Sequence, residues 1–343
     1  MHSALTGLGV TVPVLAAPMS GGPSTPEMVV AAARAGSLGF LGGGYKTPEA
    51  LADQIAQVRS AGVPFGVNLF APNPVPVDRD AYQKYRGQIQ QEADRYDIDL
   101  GKVPVTENDD YWQEKVDLLL ADPVPVVTFT FGIPEPKVFT ALKKAGSLVG
   151  QTVTSAAEAR LAAETDADVL LVQAAAAGGH SGILTPDRLP PEIPLPQLLE
   201  EVGAATSLPL IGAGGIGTPD DVAAALGADA IATAVGTVLL RSKESGTSAP
   251  YRAALADPGR RPTLLTRAFT GRPARGLANV FTDRYSAVAP EGYPAIHHLT
   301  SPVRKAATAA GDPERINLWA GTGYRHATEA PAGEILASLA SKA

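Results

Sequence analysis

Along most of the chain a short, continuous apolar run is followed by a turn and then by a longer, Ala-rich stretch with helical spacing. Continuous apolar runs are the mark of buried parallel strands, because helices cover both faces of such a sheet. Eight runs fit, at residues 12–17, 38–41, 65–69, 124–130, 147–152, 169–173, 210–213 and 230–234. Helix starts between them repeat one device. Thr25-Pro26-Glu27, Thr47-Pro48-Glu49 and Thr218-Pro219-Asp220 each combine a threonine cap, a first-turn proline and an acid at the positive end of the helix dipole. Thr154-Ser155-Ala156-Ala157-Glu158 is a capping-box variant of the same signal. Glycines in Ala61-Gly62-Val63, Lys144-Ala145-Gly146 and Leu226-Gly227-Ala228-Asp229 mark helix ends. Eight strands alternating with helices predict an α/β fold of the (β/α)8 TIM-barrel type, with a doubly wound open sheet as the alternative that periodicity leaves standing.

Two regions break the rhythm. Residues 71–110, after the third strand, are rich in Gln, Asp and Tyr and too long for a bare connection, so they read as an inserted, partly helical cap. Beyond about Arg260 the alternation stops, and residues 261–343 show no obvious strand. The expected organisation is a barrel over residues 1–260, carrying the 71–110 insertion, and a mostly helical extension over 261–343 that covers the active site.

Composition narrows the chemistry. With 343 residues, 45% of them hydrophobic and 18% charged, the chain can bury a large core without metal or disulfide staples. It has no cysteine, which removes disulfides, iron–sulfur clusters, cysteine zinc sites and cysteine nucleophiles together. Its 28 basic and 35 acidic residues leave a net charge of −7, a poor match for nucleic acid or an anionic membrane. The opening MHSALTGLGVTVPVLAAP has no basic segment ahead of its apolar run, and no run approaches the ~18 residues of a membrane span, so a soluble, cytoplasmic protein is expected.

In such a barrel function gathers at the carboxyl ends of the strands. Strand one ends in Ala17-Pro18-Met19-Ser20-Gly21-Gly22, small enough for close approach to a planar ligand, and strand three carries Asn68, an amide able to bond a ring carbonyl or nitrogen. Strand six runs into Ala176-Ala177-Gly178-Gly179-His180-Ser181-Gly182. A histidine is by default a hydrogen-bonded structural residue, but His180 alone of the five directly follows a strand, and glycines surround it. Its imidazole suits proton abstraction near neutral pH or hydrogen bonding to an anionic substrate. The other histidines are terminal (His2) or lie in the extension (His297, His298, His326).

Strand seven ends in Gly212-Ala213-Gly214-Gly215-Ile216-Gly217 and strand eight in Val235-Gly236-Thr237. Loops seven and eight form the usual phosphate site of these barrels, where glycine lets backbone N–H groups point at the anion beside a helix start. The run lacks the G-x-G-x-x-G spacing and following acid of a dinucleotide fold. Arg260, Arg261, Arg267, Arg272 and Arg275 cluster around Thr270-Gly271-Arg272-Pro273 with only sparse interleaved aromatics, which suits anchoring of the extension or neutralising a phosphate rather than binding nucleic acid.

Taken together, LAAPM, PFGVNLF, TFGIP, AGGHSG, IGAGGI, VGT, TRAFTGRPARG and the late NLWAGTGYR resemble, in order and over nearly the whole chain, the nitronate monooxygenase family, formerly 2-nitropropane dioxygenases. The resemblance implies a barrel that binds FMN without a covalent link and oxidises alkyl nitronates such as propionate 3-nitronate with O2. It implies that Ala17, Pro18 and Met19 line the isoalloxazine, that Asn68 bonds its polar edge and that Gln151, ending strand five, is a further flavin contact. Gly178, Gly179, Ala213, Gly214, Gly215, Gly236 and Thr237 would then cradle the ribityl phosphate, and His180 matches the family's active-site histidine. One departure is Ala176, where the family often has an acid. The implied partners are a small nitronate or nitroalkane and O2, with no metal, nucleic acid or membrane, and a homo-oligomer left open. Two rival readings are an NAD(P)H-dependent flavin reductase of the same superfamily, acting on quinones or enoyl thioesters, and a flavin-binding protein without turnover.

Overall fold

The computed structural model describes residues 5–343, so His2 lies outside the described residues. Parallel strands close a barrel in the order β1 (Val14–Ala16), β2 (Gly39–Gly42), β3 (Phe65–Ala71), β4 (Val126–Phe131), β5 (Leu148–Val153), β6 (Val169–Gln173), β8 (Leu210–Ala213) and β9 (Ala230–Val235). β9 returns to pair with β1, which makes the fold a TIM barrel and excludes the open sheet. A two-residue strand, β7 (Gly179–His180), leaves the barrel between β6 and β8. Each of the eight apolar runs is a barrel strand, displaced by no more than two residues at either end.

Side chains alternate along these strands, as the pleat requires. Leu15, Phe40, Val126, Leu171, Ile211 and Ala232 pack together in one cluster with Leu5 and Val10. Their neighbours Val14, Ala16, Val153, Leu170, Val172 and Leu210 pack instead against the surrounding helices.

The helices are α1 (Pro26–Arg34), α2 (Pro48–Ser60), α3 (Arg79–Ala93, inside the insertion), α4 (Trp112–Ala121), α5 (Pro136–Lys144), α6 (Ala156–Ala163), α7 (Leu195–Gly203), α8 (Pro219–Gly227) and α9 (Ala249–Ala256). Thr25 and Thr47 cap α1 and α2, accepting from the N–H of Met28 and Ala50. Thr218 and Asp221 form a complete capping box on α8. At α6 the box is split: Ser155 accepts from Glu158 N–H, but the Glu158 carboxylate takes the N–H and hydroxyl of Thr154, one residue earlier. Gly62 and Gly146 adopt the left-handed conformation after their helices, whereas after α8 Asp229 (φ 63°), not Gly227, takes it.

The extension contains α10 (Val280–Tyr285), α11 (Ala295–Ala309) and α12 (Ala332–Leu339). It is mostly helical, yet it also holds β10 (Thr263–Thr266) and β11 (Ala274–Leu277), which join β7 in a three-stranded antiparallel sheet. Those strands are missed in the sequence because each pairs with a partner of only two to four residues, too short for alternation to register.

Insertion and extension share a core: Tyr82, Tyr85 and Ile89 of α3 pack with Phe281, Tyr285, Ile296 and Leu299. Fully buried Glu92 ties them, meeting Arg284 and Arg315 at 2.5 Å each and the Tyr285 hydroxyl at 3.1 Å. Helix α12 lies elsewhere, packed through Ile335, Leu336 and Leu339 into the barrel's outer layer beside Met28 and Ala32 of α1. The arginine cluster also serves as anchorage: Arg260 meets Glu314, Arg261 meets Asp283 and Arg275 meets Glu192. Among the described residues no helix is long and apolar enough to cross a membrane.

Candidate active site

One large cavity, about 1060 Å³, opens at the carboxyl ends of the strands and is bordered by insertion and extension as well as barrel. The strand-end residues named from sequence meet there. Ala17, Pro18, Met19 and Asn68 lie on one side, Gly178, Gly179 and His180 after β6, and Ala213, Gly214, Gly215, Gly236 and Thr237 beside β8 and β9. Gln151 does not join them. It is wholly buried, its amide donating to the carbonyls of Gly132 and Thr152, and Thr152 borders the cavity in its place. Strand alternation decides this, since adjacent residues face opposite ways.

Several of these residues offer unused hydrogen-bonding capacity. Gly214 (φ 107°) and Gly215 (φ 81°) hold a conformation that L side chains rarely adopt, and among the described residues neither N–H meets an acceptor. The Thr237 hydroxyl accepts from Gly321 N–H, which leaves its own proton free to donate. Asn68 gives its amide hydrogens to Thr128 and Thr130, including the Thr128 carbonyl, which can only accept. That fixes the amide orientation and leaves Oδ1 as an acceptor. Gly178 admits no side chain, because a Cβ there would lie 2.5 Å from Gly321 N.

His180 stands on β7, where it is registered against Ala274 of β11. Phe131, Tyr293 and Trp319 enclose its ring at centroid distances of 5.5–5.7 Å. Its Nε2 lies 2.9 Å from Thr270 Oγ1. Burial, reinforced by the charges of Arg272 and Arg304, pushes the imidazole down to about 3, so it is neutral at pH 7.

Arg272 is fully buried with its guanidinium 3.9 Å from the Phe131 ring centre, bonded to the carbonyls of Ser181 and Ile183. Arg304 borders the cavity, held by Thr300, Asn317 and His297. Burial lowers both to about 10, so both stay charged. Among the described residues neither has a carboxylate at ion-pair distance. The field around His180 therefore favours an anion.

Sequence reasoning passed over much of this inner wall. Tyr45, Phe70, Phe131, Tyr293, His297, Arg304 and Trp319 all border the cavity. Phe131 could have been found, since it closes barrel strand β4, and Tyr45, since it lies in the short loop just after β2. His297 stacks on Tyr45 at 4.2 Å, with Tyr293 donating its hydroxyl to that of Tyr45, a contact nothing in the local sequence announces.

The buried histidines carry a stability prediction. His297 is also held well below its ordinary 6.5, by burial first and then by Arg304. Between pH 6.5 and the lower folded values the unfolded chain binds more protons, so stability is full above 6.5 and falls on acidification. Each imidazole contributes a slope of about 1.4 kcal/mol per pH unit in that window. Urea unfolding at pH 7, 6 and 5 should show the decline, and His297→Asn should make it shallower by about 1.4 kcal/mol per pH unit, leaving the part due to His180. An unchanged slope in that variant would refute the assignment.

Comparison with known proteins agrees with this geometry. The nitronate monooxygenase family model matches residues 2–342. A probable nitronate monooxygenase of Staphylococcus aureus (strain Newman) is 32% identical over 337 residues, 97% of this chain and 94% of that protein. The crystal structure of nitroalkane oxidase from Streptomyces ansochromogenes superposes with a TM-score of 0.95 at 43% identity, covering 99% of this chain and 97% of that one. FabK from Thermotoga maritima is similar at lower levels, with a TM-score of 0.77 and 25% identity over 100% of this chain and 96% of its own. A match along the whole chain, with the resembling motifs gathered around one cavity, places this protein in the nitronate monooxygenase family.

Proposed function

We propose that this protein is an FMN-dependent monooxygenase that converts alkyl nitronates, propionate 3-nitronate among them, into a carbonyl compound and nitrite with O2. One observation carries the reading: a neutral imidazole and the Arg304 guanidinium, which has no acid partner, line a cavity whose glycine-rich rim has unfilled N–H groups, and a second unpaired guanidinium, Arg272, lies buried against the Phe131 ring of that wall. In this reading residues 1–260 are the cofactor-binding barrel, and part of the 261–343 extension, from Tyr293 to Trp319, closes the site over it.

The residues present fit FMN. The N–H groups of Gly214 and Gly215 and the Thr237 hydroxyl would hold its phosphate, with Gly178, Gly179, Ala213 and Gly236 leaving the backbone room to approach. Asn68 Oδ1 would accept from the ring's polar edge, against the small surface of Ala17, Pro18 and Met19. When bound, the flavin supplies the electron-transfer chemistry. The chain's own contribution is to bind and orient the substrate anion. Arg304 holds negative charge in place, the rings of Phe131, Tyr293 and Trp319 exclude water, and His180 takes the α-proton when the substrate arrives as a neutral nitroalkane.

Arg304→Met should raise KM for the nitronate about ten- to hundredfold, the worth of one hydrogen bond to a charged group, with a smaller change in kcat. Steady-state kinetics in which KM does not move would remove Arg304 from substrate binding. The function itself is tested by anaerobic flavin absorbance of the FMN-loaded protein mixed with propionate 3-nitronate, and separately with NADH. Loss of oxidised flavin absorbance with the nitronate alone supports the monooxygenase. Loss with NADH alone moves the protein to the NAD(P)H-dependent reductases, a reading favoured by the likeness to FabK. Tight FMN binding with neither response leaves a flavin-binding protein without turnover.

A further inference from the structure

The Thr270–Gly271–Arg272 turn between β10 and β11 supplies the partner of His180, and the proton count there has a chemical consequence. Thr270 is fully buried. Its place is set by a tight turn in which the N–H groups of Thr270 and Gly271 both donate to the Arg267 carbonyl. Gly271 takes φ 74°, and a Cβ on it would strike the backbone of Gly292 at 2.9 Å, so the turn accepts little else. The sheet then fixes His180 opposite, through the Ala274–His180 pairing of β11 with β7.

The Thr270 oxygen has three neighbours: His180 Nε2 at 2.9 Å, the Arg272 carbonyl oxygen at 3.2 Å and the Arg272 N–H nitrogen at 3.4 Å. It has one proton to give. The Arg272 carbonyl can only accept, and among the described residues Thr270 is its sole donor. Leaving a buried carbonyl unpaired costs about 1–3 kcal/mol, so the hydroxyl proton belongs on that bond. The oxygen's lone pairs then face the Arg272 N–H and His180, and Nε2 must carry a proton to complete its own bond. The hydrogen bond made by one ring nitrogen decides the state of the other. Nδ1 is thereby left with its lone pair, and it has no protein partner among the described residues.

We propose that Thr270 is a positioning residue that holds His180 in the Nε2–H tautomer, so that Nδ1 is the atom that accepts the substrate's proton. This rests on His180 being the base, the reading given above. The step balances simply: the α-C–H bond of a nitroalkane breaks, its electron pair stays on carbon and is delocalised onto the nitro group, and the proton goes to Nδ1. The product is a nitronate beside an imidazolium whose Nε2–H still donates to Thr270. A carboxylate behind the ring would orient it as well, but would add a negative charge next to the anion being formed. A hydroxyl orients without that charge, and leaves Arg272 and Arg304 to attract the nitronate.

The test is 15N NMR of the FMN-loaded, 15N-histidine-labelled protein, with the His180 signals assigned by their loss in His180→Asn. The expected spectrum has a pyridine-like Nδ1 and a pyrrole-like Nε2 for His180. In Thr270→Val the two tautomers should mix and the ring should lose its fixed orientation, so kcat for a nitroalkane should fall several-fold, while the loss for a preformed nitronate is smaller. Thr270→Ser should restore both the spectrum and the rate, which separates the hydroxyl's role from a packing defect in the valine variant. A pyrrole-like Nδ1 in the parent protein, or an unchanged spectrum in Thr270→Val, overturns the proposal. If His180→Asn itself leaves nitroalkane turnover intact, the base reading fails on kinetics, while the tautomer is judged separately by NMR.

Discussion

His180→Asn is expected to lower turnover of a neutral nitroalkane by about 10²-fold, the lower end of what a positioned general base contributes, because an imidazole held down to about 3 is a weak base at pH 7, while preformed nitronate loses much less. The asymmetry follows from the substrates. A nitroalkane must lose its α-proton before it can be oxidised, whereas a nitronate is already a carbanion equivalent and needs the protein only to bind and orient it. Asparagine keeps a polar group near Thr270 but has no basic nitrogen. Parallel steady-state kinetics with the two substrate forms decide the matter, and equal losses would rule out the base role. The pH dependence should agree. Because burial and the charges of Arg272 and Arg304 hold the imidazole down to about 3, kcat/KM for the nitroalkane should show no loss of activity from His180 protonation between pH 7 and pH 5.

The second large effect is on stability. Glu92→Ala should lower the free energy of unfolding by about 3–5 kcal/mol, the range seen when one partner of a buried ion pair is removed. Glu92 is wholly buried and receives Arg315, Arg284, the Tyr285 hydroxyl and, at 3.2 Å, Arg95. Without it Arg315 keeps Asp312, but the charges that join α3 to the extension lose their centre. Burial alone would raise the Glu92 pKa, yet the bonds from Arg315 and Arg284 outweigh it and hold the carboxylate below its ordinary value. Its stabilisation is therefore present above the unfolded carboxyl pKa and is lost as pH falls through the folded one. Urea denaturation of the parent and of Glu92→Ala measures the difference, and a change below 1 kcal/mol would show that the apolar contacts of Tyr82, Tyr85 and Ile89 hold the insertion by themselves.

Glu92 and His180 also show where sequence reading stops. His180 is legible because it follows an apolar run, and in a parallel barrel the end of a strand is the site whatever the rest of the chain does. Glu92 is an acid in a polar helix, with nothing local to mark it as the binding point for arginines about 190 and 220 residues away. Gln151 shows the opposite limit: it lies two residues before the end of β5, where the pleat keeps it off the cavity wall and brings Thr152 there. Tyr293, His297 and Arg304 reach the site from the extension, and Thr270 reaches His180 from a turn 90 residues further along the chain.

The sequence by itself determined the alternation of eight strands with helices, most helix caps and the glycine-rich rim, because these follow from short-range periodicity, capping chemistry and backbone freedom, while closure into a barrel rests on the pairing of β9 with β1. Tertiary structure alone decided which side chains enclose His180, which nitrogen of its ring is bonded, and how two guanidinium groups without acid partners set the charge of the cavity. Those properties depend on desolvation and on contacts between distant segments, and both arise only when the insertion and the extension close over the barrel.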